Sequence, residues 1–298
     1  MKRRNFLRNA SAGLVGMGGS MAVAARLEGA LRAETPSRSP QSQAERFQKP
    51  RNLAKEPFKR LVILGESTVE GGPWLPNPEH DRYADVLVRL INDIQEKPLE
   101  YHNKGISNNS ISPRSPSYGQ SAKPSAIERY KTDVSDLKPD LFILAYGLND
   151  MRGGMAIKDF REDMATIIRD VKKACNPVTV LTTVYYMTGY GSWPPISKGS
   201  IALTLQYNEC IRSLAAEFDC ILADVWGAEG GADWLIHYDG VHANRVGNRV
   251  IAHRIFEALA QHTSGLSNWS FAQVANNDWA HMTIKARAKA GDPFKKTW

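Results

Sequence analysis

The chain has 298 residues, 42% of them hydrophobic and 23% charged, which is ordinary for a globular protein and leaves room for a sizeable core. Lys2, Arg3, Arg4 and Arg8 account for four of the formal +7 net charges, and no long Lys/Arg stripe remains beyond them. A nucleic-acid partner is therefore not expected.

Residues 1–33 read as an address rather than as fold. Lys2-Arg3-Arg4-Asn5-Phe6-Leu7-Arg8 resembles a bacterial twin-arginine export signal: paired arginines, Phe-Leu, then the weakly apolar stretch Ala10–Ala25. That stretch is about 16 residues, short of the ~20 a spanning helix needs, and it lacks a lipobox-type cysteine, so no stable membrane anchor is expected. Cleavage is expected after Ala24 or near Ala33. The resemblance implies twin-arginine export machinery as a partner and a periplasmic or secreted location. Residues 34–57 carry Pro36, Pro40, Pro50 and Pro57 among polar residues and read as a linker.

From Phe58 to His262, apolar runs alternate with amphipathic stretches. Leu61–Leu64 predicts a buried strand. Val86, Leu87, Leu90, Ile91 and Ile94 then fall at helical spacing within Tyr83–Ile94. Leu99–Asn103 is a weak second strand and Leu141–Tyr146 a strong third. Ile157, Phe160, Met164, Ile167, Ile168 and Val171 mark one face of a helix that stops before Asn176-Pro177. Val178–Val184 is a β-branched fourth strand. Ile201, Leu205, Ile211, Ala215 and Phe218 stripe the next helix, Cys220–Asp224 suits a short fifth strand, and Arg245–Leu259 a closing helix. Thr188–Ser200, with Trp193 and two prolines, predicts a surface loop overhanging the site. Residues 263–298 carry Trp269, Phe271, Trp279, Phe294 and Trp298, and read as an appendage packed back on the core.

Strand–helix alternation predicts a mainly parallel sheet of about five strands, covered by helices on both faces. Functional groups in such sheets gather at the carboxyl ends of the strands. Cys175, Cys210 and Cys220 have no metal-type or CxxC spacing. Three buried thiols and a single Cys210–Cys220 bridge are both open.

Ser67 follows Gly65-Glu66 at the end of the first strand. A serine hydroxyl is a poor nucleophile until a base takes its proton. Asp239-Gly240-Val241-His242 offers that base: a three-residue offset lets the carboxylate hold one ring nitrogen while the other serves Ser67. Asn149, in Gly147-Leu148-Asn149-Asp150, brings an amide donor suited to a developing oxyanion, and Asp150 suits capping or bracing the loop. Gly105, in Asn103-Lys104-Gly105-Ile106-Ser107, leaves its N–H open to a close approach.

In their order along residues 60–250, these four pieces resemble the SGNH (GDSL-type) hydrolase family, with Glu66 where that family most often has Asp. The resemblance implies a flavodoxin-like three-layer α/β/α sandwich. It implies ester hydrolysis through an acyl-enzyme with Ser67 as nucleophile, His242 as base and Asp239 as its orienting partner. An oxyanion hole would comprise the Ser67 and Gly105 N–H groups and the Asn149 side chain, with no metal or organic cofactor. A carbohydrate O-acyl ester, with Trp74 and Trp193 as sugar-stacking faces, is the first expectation for substrate; a short-chain lipid ester or thioester is the second. Two other readings use the same residues. His237, Asp239 and His242 could hold a metal, though Ser67 and Asn149 would then go unexplained, and a non-catalytic module could bind a ligand at Gly71-Gly72.

Overall fold

The computed structural model describes residues 50–191 and 194–275. The expected export signal, most of the linker, Trp193, and the tail aromatics Trp279, Phe294 and Trp298 lie outside these residues.

Five parallel strands form one sheet in the order β2-β1-β3-β4-β5. β1 (Arg60–Gly65) and β3 (Leu141–Ala145) pair at its centre, with Leu61 opposite Leu141 and Leu64 opposite Leu144. Their unbroken apolar runs are buried, as strands covered on both faces require. β2 (Glu100–Gly105) and β5 (Ile221–Ala223) are the edges, and β4 (Val178–Thr182) lies between β3 and β5. An edge strand has only one strand to satisfy, so β2 tolerates the half-buried polar run Glu-Tyr-His-Asn-Lys-Gly. That is why its sequence signal is weak.

In chain order the helices are α1 (Ser67–Glu70), α2 (Pro78–Asp81), α3 (Tyr83–Asn92), α4 (Ala126–Tyr130), α5 (Leu148–Gly153), α6 (Ile157–Cys175), α7 (Ile201–Glu217), α8 (Val225–Glu229), α9 (Arg245–His262) and α10 (Asn268–Ala275). α3 packs against α9, and α6 against α4 and α7, which gives the three-layer α/β/α sandwich. α6 ends at Asn176, left-handed at φ 47°, with Pro177 next, so the helix stops where its sequence predicts. Among the described residues no helix is long and apolar enough to cross a membrane.

The segments expected to flank the 58–262 domain meet each other and its last helix. Leu53 N–H donates to the His262 carbonyl at 2.8 Å, and Arg51 N–H donates to His262 Nδ1 at 3.1 Å. Ala54 bridges Thr263 in parallel fashion. The last stretch of the presumed linker and the first of the presumed appendage thus hold each other through backbone bonds, which proline content does not reveal. All three cysteines are free, and burial raises the thiol of Cys220 to about 11.

Candidate active site

The carboxyl edge of the sheet collects the chemistry. β1 ends at Gly65, and Ser67 opens the four-residue α1, so its backbone N–H is one of the donors a helix start leaves unpaired. Ser67 Oγ lies 2.9 Å from His242 Nε2, and His242 Nδ1 lies 2.8 Å from Asp239 Oδ2. A carboxylate only accepts, so the neutral ring carries its proton on Nδ1 and turns the Nε2 lone pair to the serine.

The loop bearing Asp239 and His242 is built from short-range bonds. Gly240, at φ 75°, makes the left-handed turn between them, and its N–H donates to the His237 carbonyl at 2.9 Å. Asp239 Oδ1 accepts the backbone N–H groups of Val241 at 2.8 Å and His242 at 3.0 Å. Burial works to raise the Asp239 carboxyl, but these bonds and the His242 ring outweigh it and hold the group down at about 2. Trp74 stacks on the His242 ring, with centroids 3.7 Å apart and planes 8° from parallel. One indole face, expected to be open for a sugar, is thereby covered by the imidazole.

Asn149 stands in the first turn of α5 and lines the same cleft. One of its amide hydrogens goes to the Asn109 carbonyl at 2.8 Å, which orients the other. Asp150 beside it is buried, braces the 107–117 loop by accepting the Ile111 N–H at 3.0 Å, and is pushed up to about 7 by burial.

Gly105 is placed differently from its expected role. Its N–H donates to Asn103 Oδ1 at 2.9 Å, and a Cβ there would sit 2.1 Å from the Glu70 backbone nitrogen. Gly105 is a glycine so that β2 can pass close to α1, and it does not line the cleft. Asn108 does. Its backbone is left-handed at φ 54°, its carbonyl accepts from Ala122 N–H at 2.8 Å, and its own N–H donates to none of the described residues. The sequence signal for it is an Asn-Asn pair, since asparagine tolerates that conformation better than most residues.

The cleft measures about 550 Å³ and is open to solvent, with Leu148, Ile196, Val241 and Arg152 joining the polar groups on its walls. Arg152 was not expected there. Burial lowers its guanidinium, while Glu66, Tyr185 and Asp239 act against that shift. His237 Nδ1 also reaches Asp239 Oδ2, at 3.1 Å. The metal reading is not supported: both ring nitrogens of His242 face other partners, and no group of three metal-type side chains is poised among the described residues.

A base-activated hydroxyl beside neutral N–H donors, on a parallel three-layer sandwich, defines a serine ester hydrolase. Residues 63–250 match the model of the GDSL-like lipase/acylhydrolase family, and the chain belongs to that family. No curated protein matches it in sequence. Among solved structures, the lipase/acylhydrolase from Enterococcus faecalis is 19% identical with a TM-score of 0.55, covering 67% of this chain and 95% of that one. Axe2, an acetylxylan esterase from Geobacillus stearothermophilus, is 17% identical with a TM-score of 0.53, covering 72% and 99%. TesA is 15% identical with a TM-score of 0.54, covering 67% and 98%. At these identities the likeness concerns the fold.

Proposed function

We propose that this esterase is exported and removes short acyl groups, acetyl first, from carbohydrate O-acyl esters. Ser67 Oγ attacks the ester carbonyl as His242 Nε2 takes its proton. Asp239 keeps the ring oriented and stabilises the imidazolium. The oxyanion is met by the Ser67 and Asn108 N–H groups and the free amide hydrogen of Asn149. His242 then protonates the departing alcohol, activates a water against the acyl-enzyme, and the carboxylic acid leaves.

The observation that carries the chemistry is the continuous line Ser67–His242–Asp239, with links of 2.9 and 2.8 Å, at the mouth of the cleft. For the substrate, support comes from the cleft's open shape and from likeness in fold to an acetylxylan esterase. The apolar trio Leu148, Ile196 and Val241 favours the second reading, a short-chain lipid ester or thioester. Rates on p-nitrophenyl esters of rising chain length, beside acetylated xylan and an acyl thioester, test both. Acetate preference with release of acetate from the polysaccharide is expected, and a rate that climbs beyond about eight carbons sinks the carbohydrate reading. For export, replacing Arg3 and Arg4 together by lysine is expected to keep the precursor inside a bacterial host with a twin-arginine system. Unchanged export removes that part of the proposal.

A further inference from the structure

Ser67 has a second polar neighbour that the proposed reaction does not use. Glu66 is 1% exposed, and its Oε2 lies 2.9 Å from Ser67 Oγ. Its other oxygen, Oε1, accepts from Thr68 Oγ1 at 2.9 Å and from the buried hydroxyl of Tyr185. Two hydroxyls therefore clamp one carboxyl oxygen and aim the other at the nucleophile. The single hydroxyl proton of Ser67 thus faces two acceptors, His242 Nε2 and Glu66 Oε2.

We propose that Glu66 is a fourth catalytic residue: it holds the Ser67 hydroxyl whenever His242 is charged, and it supplies a second negative charge to the imidazolium formed during turnover. The proposal rests on the reading of Ser67 as nucleophile and His242 as base.

The geometry gives the reason. When His242 is protonated, its Nε2–H can donate to Ser67 Oγ, whose own proton then goes to Glu66. Every group in the line Asp239–His242–Ser67–Glu66 is then satisfied, with a carboxylate at each end of the cation. Because Ser67 Oγ is 2.9 Å from both neighbours, Glu66 Oε2 lies within about 6 Å of His242 Nε2, close enough for its carboxylate to attract the cation formed there during turnover. Around the ring, Asp239 meets Nδ1 and the Trp74 indole covers one face; His237 reaches the same Asp239 oxygen, Arg152 from α5 lines the same cleft, and Tyr185 after β4 donates to Glu66. Arg152 is the cation among them and opposes the two carboxylates.

The test compares pH–rate profiles of the full chain on p-nitrophenyl acetate. Glu66→Gln is expected to move the acid limb of kcat/KM to lower pH by about half a unit or more, because the charged ring loses a partner. The same variant is expected to lower kcat about tenfold with KM little changed. Glu66→Asp, which keeps the charge on a shorter arm, should bring the limb back toward the wild-type position. Thr68→Val removes one clamp without altering any charge, and should shift the limb in the same direction by less. That variant also carries the test if Glu66→Gln fails to fold. An acid limb that stays in place in the folded variants, with only kcat or Tm reduced, would make Glu66 a packing residue and overturn the proposal. Loss of turnover in Ser67→Ala alongside that result sinks the Glu66 role alone, whereas turnover surviving in Ser67→Ala sinks the underlying reading.

Discussion

The two halves of the site are built in opposite ways. Ser67 and Glu66 stand just past the end of a central buried strand, where β1 is flanked by β2 and β3 and each neighbour is held in register. The Asp239–His242 loop lies beyond the last edge strand, with the Asp239 side chain 31% exposed. It is held by its own N–H bonds, by the Gly240 carbonyl accepting from Thr188 and Gly189, and by Trp74 over the ring. The nucleophile is thus placed by the core, and the base by local chemistry. Removing the Ser67 hydroxyl should therefore change the reaction without moving anything, whereas removing Trp74 from the loop side should loosen the geometry itself.

The largest effect is expected from Ser67→Ala. Loss of the hydroxyl should cut kcat by about 10⁴-fold or more and leave Tm close to wild type, because no core contact is removed. Turnover and thermal melting on one preparation check both halves of that statement. Asp239→Asn comes next, at about 10³- to 10⁴-fold in kcat, since an amide at that position favours the wrong tautomer of His242. The same change bears on stability at low pH. The Asp239 carboxyl is held below its unfolded value, at about 2, so its contribution is present above the ordinary carboxylate range and is lost as pH falls through about 2. Melting between about pH 5 and pH 2 should show a smaller acid-induced drop in the variant.

The oxyanion donors separate Asn108 from Gly105. Asn149→Ala should cost about 10²-fold in kcat, on the order of 3 kcal/mol, with little effect on KM. Asn108→Gly keeps the left-handed backbone and should retain most activity. Asn108→Val should lose it, because a β-branched residue is strained at φ 54°. Gly105→Ala, by contrast, should act chiefly on folding, through the clash with the Glu70 backbone. Equal loss of stability in Asn108→Val and Gly105→Ala, with activity falling in parallel, would erase the distinction.

What the sequence displays and what it hides follow the same division. β1 and β3 announce themselves as continuous apolar runs and β4 as a β-branched one, because both of their faces are buried. Ser67, Asn149 and the Asp239–His242 pair fall directly after strands or in short turns, so their place at one edge of the sheet follows from alternation alone. The oxyanion position after β2 does not. A glycine after a strand looks like an open N–H, yet what keeps residue 105 small is the proximity of α1, while the free N–H belongs to an asparagine three residues on. Trp74 on His242 and Arg152 in the cleft wall are likewise products of tertiary contact, with no local periodicity to betray them, and Glu66, though next to Ser67 in the chain, is held by Tyr185 from far along it.

Trp74→Ala sharpens the comparison from the loop side. If the indole holds the imidazole in place, its removal should lower kcat about tenfold on every ester tested, p-nitrophenyl acetate included. If it recognises the substrate instead, the loss should fall on KM for the larger ester alone.

The smallest effect is expected behind the nucleophile side, at Asp150. Burial raises this carboxyl to about 7, above its unfolded value of 3.8, so between those limits the folded chain binds more protons than the unfolded one. Stability from this group is therefore fully present below about pH 4 and is lost as pH rises through about 7. Asp150→Asn keeps an acceptor for the Ile111 N–H and removes the charge, so it should raise Tm by a few degrees near pH 8 and by less near pH 5. The opposite ordering would mean that the ionised carboxylate is satisfied in the fold. In that case Asp150 would brace the 107–117 loop, and with it Asn108, as a charged acceptor rather than a neutral one.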